Sequence, residues 1–471
     1  MSLPTPQDSQ RVTGSFRDPS GFVFSRDGVL YRQVNHVYAD TFESLKTSGL
    51  FDDLTVEGLL IPHEEVDLEP ADPSDCDVVL RPELVAFTSY PYEWCFGQLR
   101  DAALMQLDVL RLALRHGFWL KDCSAYNVQF HNGRPVHIDT LSFEAREPGR
   151  PWPAYRQFCQ HFLAPLALMS TCHVSLGQLS RTHLDGVPLA VAVRVLPAWS
   201  KLVPTLLLHL HLHARAEAKA AAHGKTMGAA GRRFSATAME GLLESLGRAV
   251  HRLTWNPGAT YWSGYYEGLQ GYTGEGERFK EAAVAAALER FRPATVWDFG
   301  ANTARYSRLA SDRGIFTLAF DSDPGAVEIA YRGAKARRDV KLLPLVMDLT
   351  NPSSSMGWAG EERASLIERG PADMGLALAL VHHLVISNNI GFAMAARFFA
   401  RTCRALLIEF VPATDPQARR LLEARRGPVP EYGSDAFERA FLTFFSIEHV
   451  ARVPASDRTL YTMTCRQRPR L

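Results

Sequence analysis

Residues 294–323 read ATVWDFGANTARYSRLASDRGIFTLAFDSD, and this stretch decides the fold of the C-terminal half. A short apolar run, TVWDFG, is followed by a helix-competent segment and then by a second run, IFTLAFDSD. Parallel strands are buried on both faces and therefore read as continuous apolar runs, not as alternating ones. The pattern continues through a helical segment with Ala326, Ile329 and Ala330, then VKLLPLVMD (340–348), MGLALAL (374–380) and ALLIEFV (405–411). FLTFFSI (441–447) and TLYTMTC (459–465) complete the set. Strands separated by helical segments predict a parallel sheet with crossover helices. Ligands of such open sheets lie beyond the carboxyl ends of the strands, so the residues that follow each run carry the information.

After the first run, Asp298-Phe299-Gly300-Ala301-Asn302-Thr303 opens a helix. Gly300 permits a sharp turn and lets a ligand lie against the main chain, while the helix start offers free N–H donors. Asn302 tolerates positive φ better than other non-glycine residues. The second run ends in Asp321-Ser322-Asp323, where an acid can accept both hydroxyls of a ribose. The third ends in Met347-Asp348-Leu349, where a carboxylate can take the exocyclic amine of adenine and Leu349 can flank the ring. Each acid alone is equally what a helix cap or a solvated loop would offer. Three acids at the ends of three successive strands form a pattern.

DFGANT, AFDSD and VMDL resemble the first three motifs of class I S-adenosylmethionine (SAM)-dependent methyltransferases, and the run Leu376–Leu384 resembles the segment after that family's fourth strand. Asn302 stands where the family most often has glycine. The resemblance implies a Rossmann-like seven-stranded sheet, SAM as cofactor, and Asp298, Gly300, Asn302, Asp321, Asp323, Asp348 and Leu349 as its binding residues. Methyl transfer requires donor and acceptor in line and sometimes removal of a proton. His382 and His383, at the fourth strand's exit, are candidates for that base, or else positioning residues; Glu409, near the end of the next strand, is a further candidate. The aromatic-rich segment Trp255, Tyr261, Trp262, Tyr265, Tyr266, Tyr272, ending at Lys280, fits either a lid over an acceptor or a helix packed on the sheet.

A chain of 471 residues exceeds what one hydrophobic core usually supports, so at least two domains are expected. Lys plus Arg and Asp plus Glu number 51 each, so no net field favours nucleic acid or an anionic membrane. The seven cysteines contain no C-x-x-C pair, which argues against a zinc site or a disulfide framework and for a reducing compartment. No basic segment followed by an apolar one opens the chain, and Leu202–Ala214 is too short to span a bilayer, so a cytoplasmic protein is expected.

In the N-terminal half, GFVFSRDGVLYRQV reads as a hairpin turning at Asp27-Gly28, with further strands expected at 77–80 and 84–88. Leu99, Ala102, Ala103, Gln106, Leu107, Leu110 and Leu114 recur at helical spacing up to His116-Gly117. The following LKDCSAYNVQFHNGRPVHIDTLSFE (120–144) places Asp122, Asn127 and Asp139 at a spacing that resembles the catalytic loop and metal-binding aspartate of protein kinases and aminoglycoside-type phosphotransferases. It departs from them in having no lysine on an early strand, where Arg32 is the nearest cation, and no dense glycine loop.

The resulting map is a disordered N-terminus at 1–15, an α+β kinase-like domain at 16–200, a helical connector and linker at 201–254 with GKTMGAAGRRFSAT (224–237) as its turn-rich part, and the methyltransferase domain at 255–471. TSYPYEW (88–94), KDCSAYN (121–127) and PWPAYRQFCQHFLAPLALM (151–169), ahead of such a domain, resemble a bacterial methyltransferase group related to rhizobial host-specific nodulation proteins. Three functions remain open: methyl transfer to a small molecule, glycan or protein; a bifunctional phosphotransferase and methyltransferase; and a non-catalytic nucleotide-binding scaffold.

Overall fold

The computed structural model describes residues 10–223, 234–258, 274–425, 427 and 431–466. Its contacts divide the chain into two units, Met1–Trp255 with Met356–Arg363, and Asn256–Ser355 with Ala364–Leu471.

In the first unit, strands β1 (Gln10–Arg11), β2 (Gly21–Arg26), β3 (Val29–Asn35), β4 (His63–Val66) and β5 (Cys76–Pro82) form an antiparallel sheet in the order β1-β2-β3-β5-β4. The β2–β3 hairpin turns at Asp27 and Gly28, both at positive φ, which is what a two-residue turn between right-twisted strands requires. Helices Ala39–Thr47 and Leu50–Val56 lie between β3 and β4, and the long helix Phe96–Arg115 buries the apolar stripe read from its sequence. After it come β6 (Phe118–Leu120), β7 (Val128–His131), β8 (Arg134–His137) and β9 (Phe143–Ala145), paired as β6 with β9 and β7 with β8. The β7–β8 turn is Asn132-Gly133, again at positive φ.

Two expectations are corrected in this unit. Residues 84–88 form no strand; Pro82 and Pro91 bracket the stretch, and with Leu84 exposed and Phe87 buried it lacks the alternation of a paired strand. Residues 10–15, expected to belong to a disordered end, are held in place: Gln10 and Arg11 pair with Ser25 and Phe24, and Ser15 holds the Val23 amide at 2.8 Å. Residues 1–9 lie outside the described residues, as do most of the linker (224–233) and the aromatic segment from 259 to 273.

The second unit is built on β10 (Thr295–Phe299), β11 (Phe316–Asp321), β12 (Leu342–Val346), β13 (Ala372–Ala377), β14 (Cys403–Phe410), β15 (Phe445–Arg452) and β16 (Thr459–Cys465). They form one seven-stranded sheet in the order β12-β11-β10-β13-β14-β16-β15. The first five are parallel, and β16 runs antiparallel between β14 and β15. The parallel strands are those expected from the apolar runs, and the seven-stranded Rossmann-like order is the one the resemblance implied. The sheet's interior is apolar on both faces, with Val296, Leu376, Leu378 and Leu407 packed under Val284 and Leu288 of helix Gly274–Phe291. Because the order reverses between β10 and β13, crossovers leave in opposite directions there and open a crevice at the strands' carboxyl ends.

Candidate active site in the second unit

The exit of β10 is a run of left-handed residues: Gly300 at φ 77°, Asn302 at φ 51° and Ala304 at φ 62°. Gly300 and Ala301 both donate to the Phe320 carbonyl of β11, which folds the turn onto the neighbouring strand. A Cβ on Gly300 would meet Leu380 Cδ1 at 3.3 Å, so the turn lies against the segment leaving β13. Asn302 thus adopts the conformation for which glycine is otherwise chosen, and its side chain accepts from the Thr303 amide.

Asp321 ends β11 beside this turn. One carboxylate oxygen accepts from the Asn302 amide at 2.7 Å and the other from the Asp323 amide at 2.9 Å. A carboxylate has about four acceptor positions, and its backbone donors do not use them all. Burial raises Asp321 to about 6, although its backbone donors pull the other way. Asp323 caps helix Pro324–Arg337 by accepting from the Gly325 amide at 2.8 Å, and its other oxygen is buried with no partner among the described residues. Asp348, following β12, is exposed and accepts from the amide and hydroxyl of Thr350; Leu349 beside it is half-buried. Asp298 lies deeper, 2% exposed, accepting from the Ser307 hydroxyl at 2.6 Å, and burial pushes it up to about 7.

His382 and His383 stand at the β13 exit, where His383–Ser387 forms a π-helical turn, with ring centroids 4.1 Å apart. His382 is 1% exposed and its Nδ1 has no partner among the described residues. Burial, then the neighbouring imidazole and the cations Arg458 and Lys280, keep it well below the usual histidine range; burial and Arg458 lower His383 to about 4. Both rings are therefore neutral at pH 7, the form that can accept a proton.

Glu409 is placed differently from a free base. It is fully buried, and one oxygen accepts from Lys280 Nζ at 2.8 Å and from the Ala379 amide at 2.8 Å. Arg458 approaches the other oxygen at 3.7 Å and is itself held by Asp415 at 2.7 Å. Sequence reading passed over Lys280, Arg458 and Ala379. Lys280 had a legible signal, since it interrupts the buried stripe Gly276, Val284, Ala287, Leu288 of its helix at helical spacing. A lysine in that stripe is rarely buried without a partner. Nothing local marks Ala379 or Arg458.

In the first unit the residues of the 120–144 loop also come together. Asp139 pairs with Arg32 of β3 and accepts from the Ser142 hydroxyl and the Leu141 amide. Asn127 donates to the same Ser142 hydroxyl at 3.2 Å. Asp122 accepts from Gln157 at 2.6 Å and from the Ser124 amide at 2.9 Å. Lys121 donates to the Ser20 hydroxyl at 2.8 Å.

Nodulation protein NoeA of Rhizobium meliloti (strain 1021) is 34% identical to this chain over 463 residues, which is 96% of this chain and 95% of the relative. The chain belongs to the NoeA family. The likeness to nodulation proteins read from the segments at 88–94, 121–127 and 151–169 is thus shown along nearly the whole length. No family model matches the chain. Among solved structures, magnesium protoporphyrin IX methyltransferase (ChlM) from Synechocystis PCC 6803 with bound SAM matches at 14% identity over 43% of this chain and 89% of its own, with a TM-score of 0.32. The bifunctional kinase-methyltransferase WbdD matches at 14% identity, with a TM-score of 0.30, over 41% of this chain and 40% of its own, so this chain spans less than half of that protein. Among the described residues no helix of this NoeA relative is long and apolar enough to cross a membrane.

Proposed function

We propose that the second unit is a SAM-dependent methyltransferase acting on a small molecule, a glycan or a protein side chain. The observation that carries this reading is the placing of Asp321 and Asp348 on one edge of the sheet, at the ends of adjacent parallel strands, beside a left-handed turn at Gly300 that no β-carbon fills. The residues present fit the cofactor: Asp321 would hold the ribose hydroxyls, Asp348 and Leu349 the adenine, and the Gly300–Asn302 turn the amino-acid end. SAM supplies an electrophilic methyl group on a sulfonium. What the chain's own residues contribute is alignment and, at neutral His382 or His383, a place for an acceptor's proton. Asp323 then serves chiefly as a helix cap.

For the first unit we favour a kinase-like scaffold without efficient phosphoryl transfer. The sheet with helices between its third and fourth strands, the long helix before the loop, and Asn127 and Asp139 meeting at Ser142 support the kinase-like reading. The Arg32–Asp139 pair speaks against catalysis, since the carboxylate that would hold magnesium is already neutralised. A reducing cytoplasmic location remains part of the proposal.

Calorimetric titration with SAM, followed by turnover to S-adenosylhomocysteine in the presence of fractionated cell extract, tests the reading. Micromolar binding and fraction-dependent turnover are expected. Absence of SAM binding by the folded chain would remove it.

A further inference from the structure

Ala379 sits at φ 51°, in the left-handed region that L-residues with a side chain rarely occupy. It lies two residues past the end of β13 and three before His382. Its neighbour Leu380 packs on Gly300, and the Leu380 carbonyl receives the His383 amide at 2.9 Å. One strained residue therefore sets the direction of the chain for both the wall of the glycine turn and the histidine pair. Backbone strain of this kind persists only where surrounding groups fix it.

The fixing group is visible. Ala379 donates its amide to Glu409 Oε2 at 2.8 Å, and the same oxygen receives Lys280 Nζ at 2.8 Å. Lys280 in turn lies over the Tyr306 ring at 5.1 Å, and Arg458, anchored on Asp415, faces the other oxygen of Glu409. Lys280, Glu409 and Arg458 are each no more than 2% exposed. With Lys280 at 2.8 Å on one oxygen and Arg458 facing the other, the buried carboxyl group has little room to move, so its bond to the Ala379 amide is fixed in place. We propose that Glu409 is a positioning residue: with Lys280 and Arg458 it holds Ala379 in its left-handed turn and so fixes where His382 and His383 stand. This rests on the methyltransferase reading for its purpose, but the coupling itself is a property of the turn.

Two double variants separate the amide bond from the ion pair. Lys280→Met with Glu409→Gln removes both charges and keeps an oxygen for the Ala379 amide; Lys280→Met with Glu409→Leu removes both charges and the oxygen. Hydrogen exchange of the segment 377–388 and the imidazole signals of ¹³C-labelled histidine are read in the full-length chain. The Gln variant should exchange within about threefold of wild type and keep the His382 and His383 signals. The Leu variant should exchange at least about tenfold faster and move both signals, and adding Ala379→Gly should bring them back toward wild type, because glycine adopts the turn without cost. Equal behaviour of the Gln and Leu variants, or no recovery with glycine, overturns the proposal. If the Leu variant does not fold, Ala379→Val tests the turn with Glu409 intact, since a β-branched residue resists positive φ; unchanged histidine signals there also overturn it. SAM titration of the wild type runs alongside. Failure to bind SAM would remove the methyltransferase reading and leave the exchange comparison as it stands. Conversely, normal SAM binding with indistinguishable Gln and Leu variants would remove only the positioning role.

Discussion

Asp139 in the first unit and Asp321 in the second are both carboxylates near a strand end, and both accept backbone amides. They differ in what else is in reach. Burial by itself would raise Asp139, but the Arg32 guanidinium and the Ser142 hydroxyl outweigh it and hold the group below the usual carboxylate range. Asp321 has backbone amides but no ion-paired cation among the described residues, and burial lifts it to about 6. Unpaired buried charge is costly unless a partner arrives. The first carboxylate has its counter-charge built into the fold, and on the proposed reading the second is left to a ligand. Two sites read from similar sequence signals therefore stand at opposite ends of a scale running from internal satisfaction to readiness for a partner.

The largest effect should come from unmaking the satisfied site. Arg32→Ala leaves Asp139 without its cation in a largely enclosed position, and breaking such a pair typically costs about 3 kcal/mol or more. Urea unfolding followed by the first unit's tryptophans should show that loss. A cost under about 0.5 kcal/mol would mean that the pair is a surface contact and that the contrast with Asp321 is not real.

Next is the ligand-dependent acid. Asp321→Ala should weaken SAM by roughly tenfold to a hundredfold, since a charged acceptor bond is worth about 1.5 to 3 kcal/mol. Asp323→Ala should cost SAM affinity much less and show mainly as lost stability, of about 1 kcal/mol, from an uncapped helix. The reverse order, with Asp323→Ala abolishing binding while Asp321→Ala stays near normal, would transfer the ribose to the oxygen of Asp323 that has no protein partner.

Much of this end of the sheet is legible in the sequence, and the reason is local. The strand ends, the glycine turn and the acids that follow β11 and β12 come from apolar runs and from chemistry within a few residues, and the two hairpin turns come from Asp27-Gly28 and Asn132-Gly133. The Glu409 environment was not legible. Lys280, Ala379, Glu409 and Arg458 are spread over 179 residues of sequence and meet only because β13, β14 and the two flanking segments are assembled in the sheet. Residues 84–88 were misread for a related reason: an apolar run is strand-like only if a neighbour pairs with it.

A smaller effect is expected from pH. Asp321 must be ionised to accept two hydroxyls at full strength, and in the free protein it takes up a proton as pH falls through about 6. SAM affinity should accordingly decline below that value, by at most about tenfold per unit, and level off above about pH 7. Asp321→Asn should flatten the profile. A profile that is flat in the wild type would show that Asp321 is not the group coupled to binding.

The smallest effect is the one expected from magnesium and ATP. For a divalent ion to reach Asp139 it must displace the Arg32 guanidinium, giving up an ion pair and stranding a cation near the strand, so the metal's binding energy is largely spent on rearrangement. Weak binding has a small thermal signature: a ligand present at half its dissociation constant adds only about 0.2 kcal/mol to stability. Millimolar magnesium with ATP should therefore leave the unfolding temperature of the full chain within about 1 °C and support no hydrolysis above background. Arg32→Ala sharpens the point, because it frees the carboxylate, and metal-dependent stabilisation that appears only in this variant is the expected sign that the guanidinium occupies the cation's place. A shift of several degrees in the wild type, with hydrolysis that disappears in Asp122→Ala and Asp139→Ala, would put both carboxylates at the same end of the scale and favour the bifunctional reading.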